Sequence, residues 1–158
     1  MTSPIGIDEL DGRLLAVLAD RPRAGVLEVA RRLGVARGTV QARLDKLIAR
    51  GVVRGFGPDV DPVALGFSVL AFATLEIAQG RGRDVAAHLK AIPEVLEAHT
   101  ITGPGDLLLR VVARDNADLQ RVIDRIVEVE GIVRTSTVIA LSRPIGYDVL
   151  PLVDSQGT

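Results

Sequence analysis

Hydrophobic residues recur with helical spacing in the first third of the chain. Three segments each place apolar side chains three or four positions apart, which predicts three amphipathic helices. The inward positions are Leu10, Leu14, Val17 and Leu18 in the first, Leu27, Ala30 and Leu33 in the second, and Val40, Leu44 and Leu47 in the third. Asp8 is the expected N-cap of the first helix, and Gly34 and Gly51 are expected to end the other two.

The junction between the second and third helices predicts a helix-turn-helix. Small Ala30 allows close approach of the two helices, Gly34 permits the tight turn, and Val35 fills the space beneath it. Ala36 occupies the position where a Ser or Thr would cap the third helix, so that helix lacks a side-chain cap.

From Phe67 onward the hydrophobic pattern alternates between strand and helix spacing in the order βαββαβ. This order predicts a ferredoxin-like antiparallel sheet with both helices on one face. The expected fold class is therefore α+β. A winged-type helix-turn-helix domain (residues 1–51) precedes a linker strand with turns (52–65) and the ferredoxin-like domain (66–158). The second face of that sheet has no cover in this chain, which predicts a homodimer.

The composition narrows the class of protein to which this chain belongs. The 158 residues are 47% hydrophobic and 25% charged, as in soluble globular proteins, and contain no cysteine. The N-terminus lacks the pattern of a signal peptide, and no apolar run is long enough to span a bilayer, so we expect a cytoplasmic protein with no membrane partner.

Charge is concentrated in one short segment. Residues 31–54 contain seven basic residues and one acidic residue, whereas residues 62–158 carry nine basic and twelve acidic ones. A basic block on an otherwise acidic chain is typical of a nucleic-acid contact.

The basic residues of the third helix have the phase of a DNA-reading surface. Thr39, Arg43, Lys46 and Arg50 form one polar stripe beside the core positions, and we expect this stripe to follow a major groove of double-stranded DNA. Arg37 and Gln41 lie on the opposite flank near the helix start, and Arg54 extends the basic surface. The alternative is a solvated basic face on a structural three-helix unit.

The segment "TGPGDLLLRV" lies between the two consecutive central strands. Its carboxylate, Asp106, excludes a phosphate cradle, and no helix N-terminus follows it. Two interpretations remain open: a plain hairpin turn in which Asp106 is a cap, or a loop that binds a small molecule.

The whole chain resembles the Lrp/AsnC (leucine-responsive, feast/famine) family of transcriptional regulators. The resemblance rests on "LDGRLLAVL", "VARRLGVARGTVQARLDKLIARGVV", "DPVALGF", "TGPGDLLLRV" and "GIVRTSTVIALS", and it covers residues 7–152. It implies that the second domain is of the RAM/ACT-like type, senses an amino acid or related metabolite, and assembles dimers into octamers.

The resemblance also implies the effector-binding residues. Gly103 and Asp106 match the family's Gly-x-x-Asp hairpin, with Thr102 and Gly105 beside them, and Thr135 and Thr137 match the hydroxyls of its last strand. The chain departs from the family at Ala36, where a serine is usual, and at Pro104-Gly105, where a bulkier residue is common.

An enzyme is not expected. The sequence has no nucleophile elbow, no metal-spaced histidine pair and no P-loop, so no catalytic residue, metal or cofactor is predicted. His88 and His99 are expected to be structural, although haem-modifying decarboxylases share the architecture and use histidines. The alternative within DNA-binding proteins is a nucleoid-associated protein that organises DNA without an effector.

Overall fold

The computed structural model describes residues 6–154 and separates them into two units. Residues 6–58 and 145–154 form a helical unit, and residues 59–144 form a sheet unit. The predicted second domain, residues 66–158, includes residues 145–154. In the structure these residues group with the helices instead. Within residues 6–154, no helix is both long and apolar enough to cross a bilayer.

The helical unit contains four helices: α1 (Glu9–Asp20), α2 (Val26–Leu33), α3 (Arg37–Ala49) and the short α6 (Leu150–Asp154). Its core is built from the predicted inward faces, with Leu14, Leu33, Val40 and Leu47 all buried. The final helix lies against α1, since a Cβ atom added to Gly12 would meet Val153 Cγ1 at 3.2 Å. This contact explains why the end of the described chain belongs to the helical unit.

The helix ends follow the local chemistry that the sequence predicts. Asp8 caps α1, with a 2.9 Å bond from the backbone N–H of Asp11, and the Asp11 side chain accepts the Asp8 N–H in return. Gly34 ends α2 with φ 69°, in the left-handed conformation that glycine adopts at little cost. Ala36 is the N-cap of α3 and makes no side-chain bond, as expected.

The linker does not form the predicted strand within this chain. Residues 52–65 contain turns but no strand. The N–H groups of Val52 and Val53 bond back to the Leu47 carbonyl, at 2.9 and 3.2 Å, and thereby satisfy the end of α3. A strand needs a neighbouring strand to accept its ladder bonds, and the described part of the helical unit has none.

The sheet unit has the predicted βαββαβ order. Its elements are β1 (Val69–Ile77), α4 (Gly82–Lys90), β2 (Val95–Thr100), β3 (Leu107–Ala113), α5 (Asn116–Val127) and β4 (Ile132–Ala140). The four strands form an antiparallel sheet in the order β2-β3-β1-β4. Asp115 is the N-cap of α5, and its carboxylate accepts the Asp118 N–H at 2.7 Å.

Both helices cover one face of this sheet. Ala71, Ala73 and Leu75 of β1 are completely buried beneath α4 and α5, in one cluster with Leu89 and Ile126. Because strand side chains alternate, the intervening residues of β1 point to the other face, which we call the open face. Register extends it across the sheet, since paired residues share a face. Its members include Leu70, Phe72 and Thr74 of β1, Leu108, Arg110 and Val112 of β3, and Arg134, Ser136 and Val138 of β4.

The β2–β3 hairpin turns through two glycines with positive φ, Gly103 at 99° and Gly105 at 98°. They differ in their surroundings. A Cβ on Gly103 would meet no atom within 4 Å, whereas one on Gly105 would overlap Thr74 Cγ2 and lie 3.2 Å from the Leu75 carbonyl oxygen. The hairpin therefore packs directly onto β1 at Gly105 but not at Gly103.

This difference predicts unequal effects of alanine at the two positions. Gly103→Ala should cost only the backbone penalty of positive φ, about 1–2 kcal/mol. Gly105→Ala should cost about 1–3 kcal/mol more, because β1 must move away from the new methyl group. Urea denaturation of both variants measures the difference, and equal losses of stability would contradict the packing described here.

Candidate functional site

The third helix carries most of the predicted DNA-binding residues, and the structure divides them by exposure. Arg37, Thr39, Gln41 and Lys46 are exposed on α3, and Arg54 is exposed beyond it. Arg43 and Arg50 are partly buried. The predicted stripe therefore has two members open to solvent, Thr39 and Lys46, and two that turn toward the rest of the helical unit.

The two flanks of α3 also differ in their bonding. Lys46 has no ion-pair partner among residues 6–154, so its charge is available to a ligand. On the other flank, the Gln41 amide donates to Asp45 at 2.8 Å, one helical turn away. That bond fixes the direction of the Gln41 side chain and leaves its carbonyl oxygen as an acceptor.

Arg43 is held inside the helical unit by two carboxylates at the start of α1. One guanidinium nitrogen, Nη1, donates to Asp8 Oδ2 at 2.5 Å and to Asp11 Oδ1 at 2.9 Å. The Asp11 side chain is only 10% exposed. The hydrogen bond from Arg43 lowers the pKa of the Asp8 carboxyl, aided by the Asp11 N–H, and the bonds to Asp8 and Asp11 raise the pKa of Arg43. Sequence reasoning missed this pairing, although the acids stand at the expected cap of α1.

The predicted effector residues form two groups in the sheet unit. Thr102, Gly103, Gly105 and Asp106 lie in the β2–β3 hairpin, and Thr135 and Thr137 lie on β4. Both groups border the same stretch of β1, on its two sides: the Asp106 N–H donates to the Leu75 carbonyl at 2.7 Å, and Thr135 pairs with Leu75 from β4. Thr137 pairs with Ala73, one pleat further from the hairpin.

Asp106 is bonded to β1 by one of its carboxylate oxygens. The Ile77 N–H donates to Asp106 Oδ2 at 2.6 Å, where the β1–β4 pairing shifts register between Glu76 and Ile77. The capping interpretation therefore explains the hydrogen bond that Oδ2 accepts. The other oxygen, Oδ1, has no partner within residues 6–154, and the side chain is on the surface.

Thr135 carries a polar atom without a partner. Its Oγ1 is buried and makes no hydrogen bond within the described part of the chain. Such an atom is uncommon, because a buried hydroxyl ordinarily finds a donor or acceptor. Thr135 faces the helix-covered side of the sheet, as Thr137 does, since their partners Leu75 and Ala73 are core residues.

The two histidines have structural partners. His88 Nε2 is 2.7 Å from the carbonyl oxygen of Arg125 and links α4 to α5, and His99 Nε2 is 2.8 Å from Glu97 on the edge strand β2. Among residues 6–154, no group of three or more acids or histidines is arranged to hold a metal ion.

Comparisons with known proteins match both units. Residues 7–48 match the AsnC-type helix-turn-helix domain, and residues 70–150 match the Lrp/AsnC ligand binding domain. The HTH-type transcriptional regulator FL11 of Pyrococcus horikoshii is 31% identical over 148 residues, which are 94% of this chain and 98% of the relative.

Solved structures agree with this result. Escherichia coli AsnC superimposes with a TM-score of 0.85 at 31% identity, over 92% of this chain and 99% of that one. A feast or famine regulatory protein from Mycobacterium tuberculosis, complexed with L-methionine, has a TM-score of 0.79 at 29% identity, over 89% and 96% of the two chains. The chain thus belongs to the Lrp/AsnC family, and it is a transcriptional regulator that combines a helix-turn-helix with a ligand-binding domain.

Proposed function

We propose that this regulator binds specific DNA sites through α3 and changes its binding when an amino acid occupies the sheet unit. The observation that supports DNA binding is the exposed basic flank of α3, which lies directly after a helix-turn-helix junction. Thr39 and Lys46 meet the DNA backbone on one flank, and Arg37 and Gln41 reach base edges at the helix start. Arg50 and Arg54 add charge at the other end.

Lys46 provides the sharpest test of DNA binding. Lys46→Ala should weaken binding and reduce the slope of log K against log salt by about 0.9, the effect of one lost phosphate contact. The only other lysine of the chain, Lys90, is exposed on α4 of the sheet unit. Lys90→Ala removes the same charge and should leave the slope unchanged.

The experiment is a fluorescence titration on mixed-sequence duplex DNA over a range of salt concentrations. Identical slopes for Lys46→Ala and the parent protein would contradict a phosphate contact at α3. A parent protein that shows no preference among genomic sequences would support a nucleoid-associated protein in place of a site-specific regulator.

We further propose that the open face pairs two chains into a dimer, the unit from which octamers assemble. Leu70, Phe72 and Leu108 contribute apolar surface to that face, and Val138 is 62% exposed on it. Arg110 lies among them, and its Nε is buried without an acceptor within residues 6–154. An acceptor from a second copy would satisfy it.

A matched pair of valines on β4 tests this interface. Val138→Glu introduces a charge on the open face and should dissociate the dimer, because an unpaired buried carboxylate is costly. Val133→Glu places the same charge at a similarly exposed position, 69%, at the other end of the same strand, where the β1–β4 pairing shifts register, and should leave the dimer intact. Light scattering at micromolar concentration measures both. A monomeric parent protein would exclude the dimer, and with it the octamer.

The proposed effector is an amino acid, because the hairpin presents both an acceptor for an ammonium group and donors for a carboxylate. Asp106 Oδ1 is free to accept from an ammonium group, and the N–H groups of Gly103 and Gly105 have no acceptor among residues 6–154 and can donate to a carboxylate. Thr135 adds a buried hydroxyl without a partner among the described residues. The M. tuberculosis relative complexed with L-methionine makes that amino acid the first probe. A ligand that binds one assembly better than another would then shift the spacing of the DNA-binding helices.

Two substitutions of Asp106 separate the role of its negative charge from its role as a hydrogen-bond acceptor in the cap. Asp106→Asn keeps an oxygen acceptor for the Ile77 N–H but removes the charge, so it should fold like the parent and lose the response to amino acids. Asp106→Ala should lose about 1 kcal/mol of stability in addition, because the Ile77 N–H loses its partner. The measurement is a thermal-shift screen of the common amino acids, beginning with L-methionine, since a ligand at 100 times its Kd stabilises by about 2.7 kcal/mol. If Asp106→Asn responds fully to amino acids, the loop is only a turn and not part of a binding site.

A further inference from the structure

The predicted DNA-binding stripe contains an arginine, Arg43, whose guanidinium is engaged within the protein through one of its nitrogens. Arg43 lies on the recognition helix, yet its guanidinium is directed to the first turn of α1, where Nη1 bonds both Asp8 and Asp11. Its side chain is 31% exposed, less than that of Asp8 at 56%. Both hydrogen bonds use Nη1, so Nε and Nη2 keep their donors, but the two charge-assisted bonds hold the side chain that carries them against the first turn of α1.

The carboxylates that hold Arg43 also hold each other. Asp8 is the N-cap of α1 and accepts the Asp11 N–H at 2.9 Å, and Asp11 Oδ2 receives the Asp8 N–H at 3.4 Å. Asp11 is the only buried charged or polar residue in the described part of the chain, at 7% exposure. Without Arg43, this carboxylate would be buried beside another carboxylate, which is strongly unfavourable.

We propose that Arg43 is a positioning residue: it fixes α3 against the capped start of α1 and does not itself contact DNA. We call the contact of Arg43 with Asp8 and Asp11 the clamp. It joins the middle of the recognition helix α3 to α1, which begins more than thirty residues earlier in the chain. Arg50 reaches the same region, where its Nη1 lies 3.5 Å from the Gly6 carbonyl oxygen. The inference rests on the proposed DNA-binding function and reassigns one residue of its predicted interface.

The first measurement needs no DNA. Arg43→Ala should lower the midpoint of thermal unfolding by several degrees, because it leaves the buried Asp11 carboxylate without its cationic partner. Lys46→Ala on the same helix should leave the midpoint near that of the parent. Circular dichroism confirms that each variant retains its helices. A loss of folding in Arg43→Ala supports the clamp, and an unchanged midpoint contradicts it.

The second measurement uses the sign of a charge change. Asp11→Asn removes a negative charge from the helical unit, and simple electrostatics predicts tighter binding to a polyanion. The clamp predicts the opposite, a loss of affinity of about five- to tenfold for mixed-sequence duplex DNA, because a charge-assisted bond to Arg43 is weakened. Asp20→Asn is the matched control at the other end of α1: this exposed acid lies outside the network and its removal should slightly tighten binding.

The two residues should also act as one unit. If Asp11 and Arg43 affect DNA only through each other, the double variant Asp11→Asn/Arg43→Ala binds no more weakly than Arg43→Ala alone. The proposal is overturned if Asp11→Asn tightens binding as Asp20→Asn does, while Arg43→Ala reduces the salt slope as Lys46→Ala does. A parent protein that does not bind DNA would end the proposed function, but the stability comparison would still decide whether the clamp exists.

Discussion

The burial of one face of a four-stranded sheet beneath two helices is the constraint on which the sheet unit depends. It requires β1 and β3 to place small and branched residues alternately on the covered side, as Ala71, Ala73 and Leu109 do. The same alternation directs the intervening residues to the open face, so the surface proposed for dimerisation is a necessary product of the core. It also brings the β2–β3 hairpin to the end of β1, where Asp106 meets the Leu75 and Ile77 backbone.

Local periodicity and local capping carry most of the information about this fold. The three N-terminal helices, the βαββαβ order and the caps Asp8 and Gly34 follow from residues only a few positions apart, and the structure confirms them. The predicted strand after α3 fails for a non-local reason: an extended backbone needs a pairing partner, and apolar spacing cannot reveal whether one exists. The C-terminal helix is similar, because its place against α1 depends on a contact with the opposite end of the sequence.

The candidate sites show the same limit more clearly. Helical phase places Arg43 beside Lys46 on one stripe, but it cannot show that two acids of α1 stand opposite only one of them. For the hairpin, the sequence leaves a cap and a binding loop as alternatives. The structure shows that capping engages only one oxygen of Asp106, so the proposed binding role of the other oxygen is compatible with it. Side-chain partners, unlike helices and strands, are set by the tertiary arrangement.

The helical unit is assembled from both sides of the sheet unit in the chain, since α6 follows β4 and lies against α1. During synthesis α1, α2 and α3 leave the ribosome first and can pack their shared core before any strand exists. The surface of α1 around Gly12, however, remains uncovered until the whole sheet has been translated. The domain expected to meet DNA is therefore among the first parts of this protein to begin folding and the last to be completed.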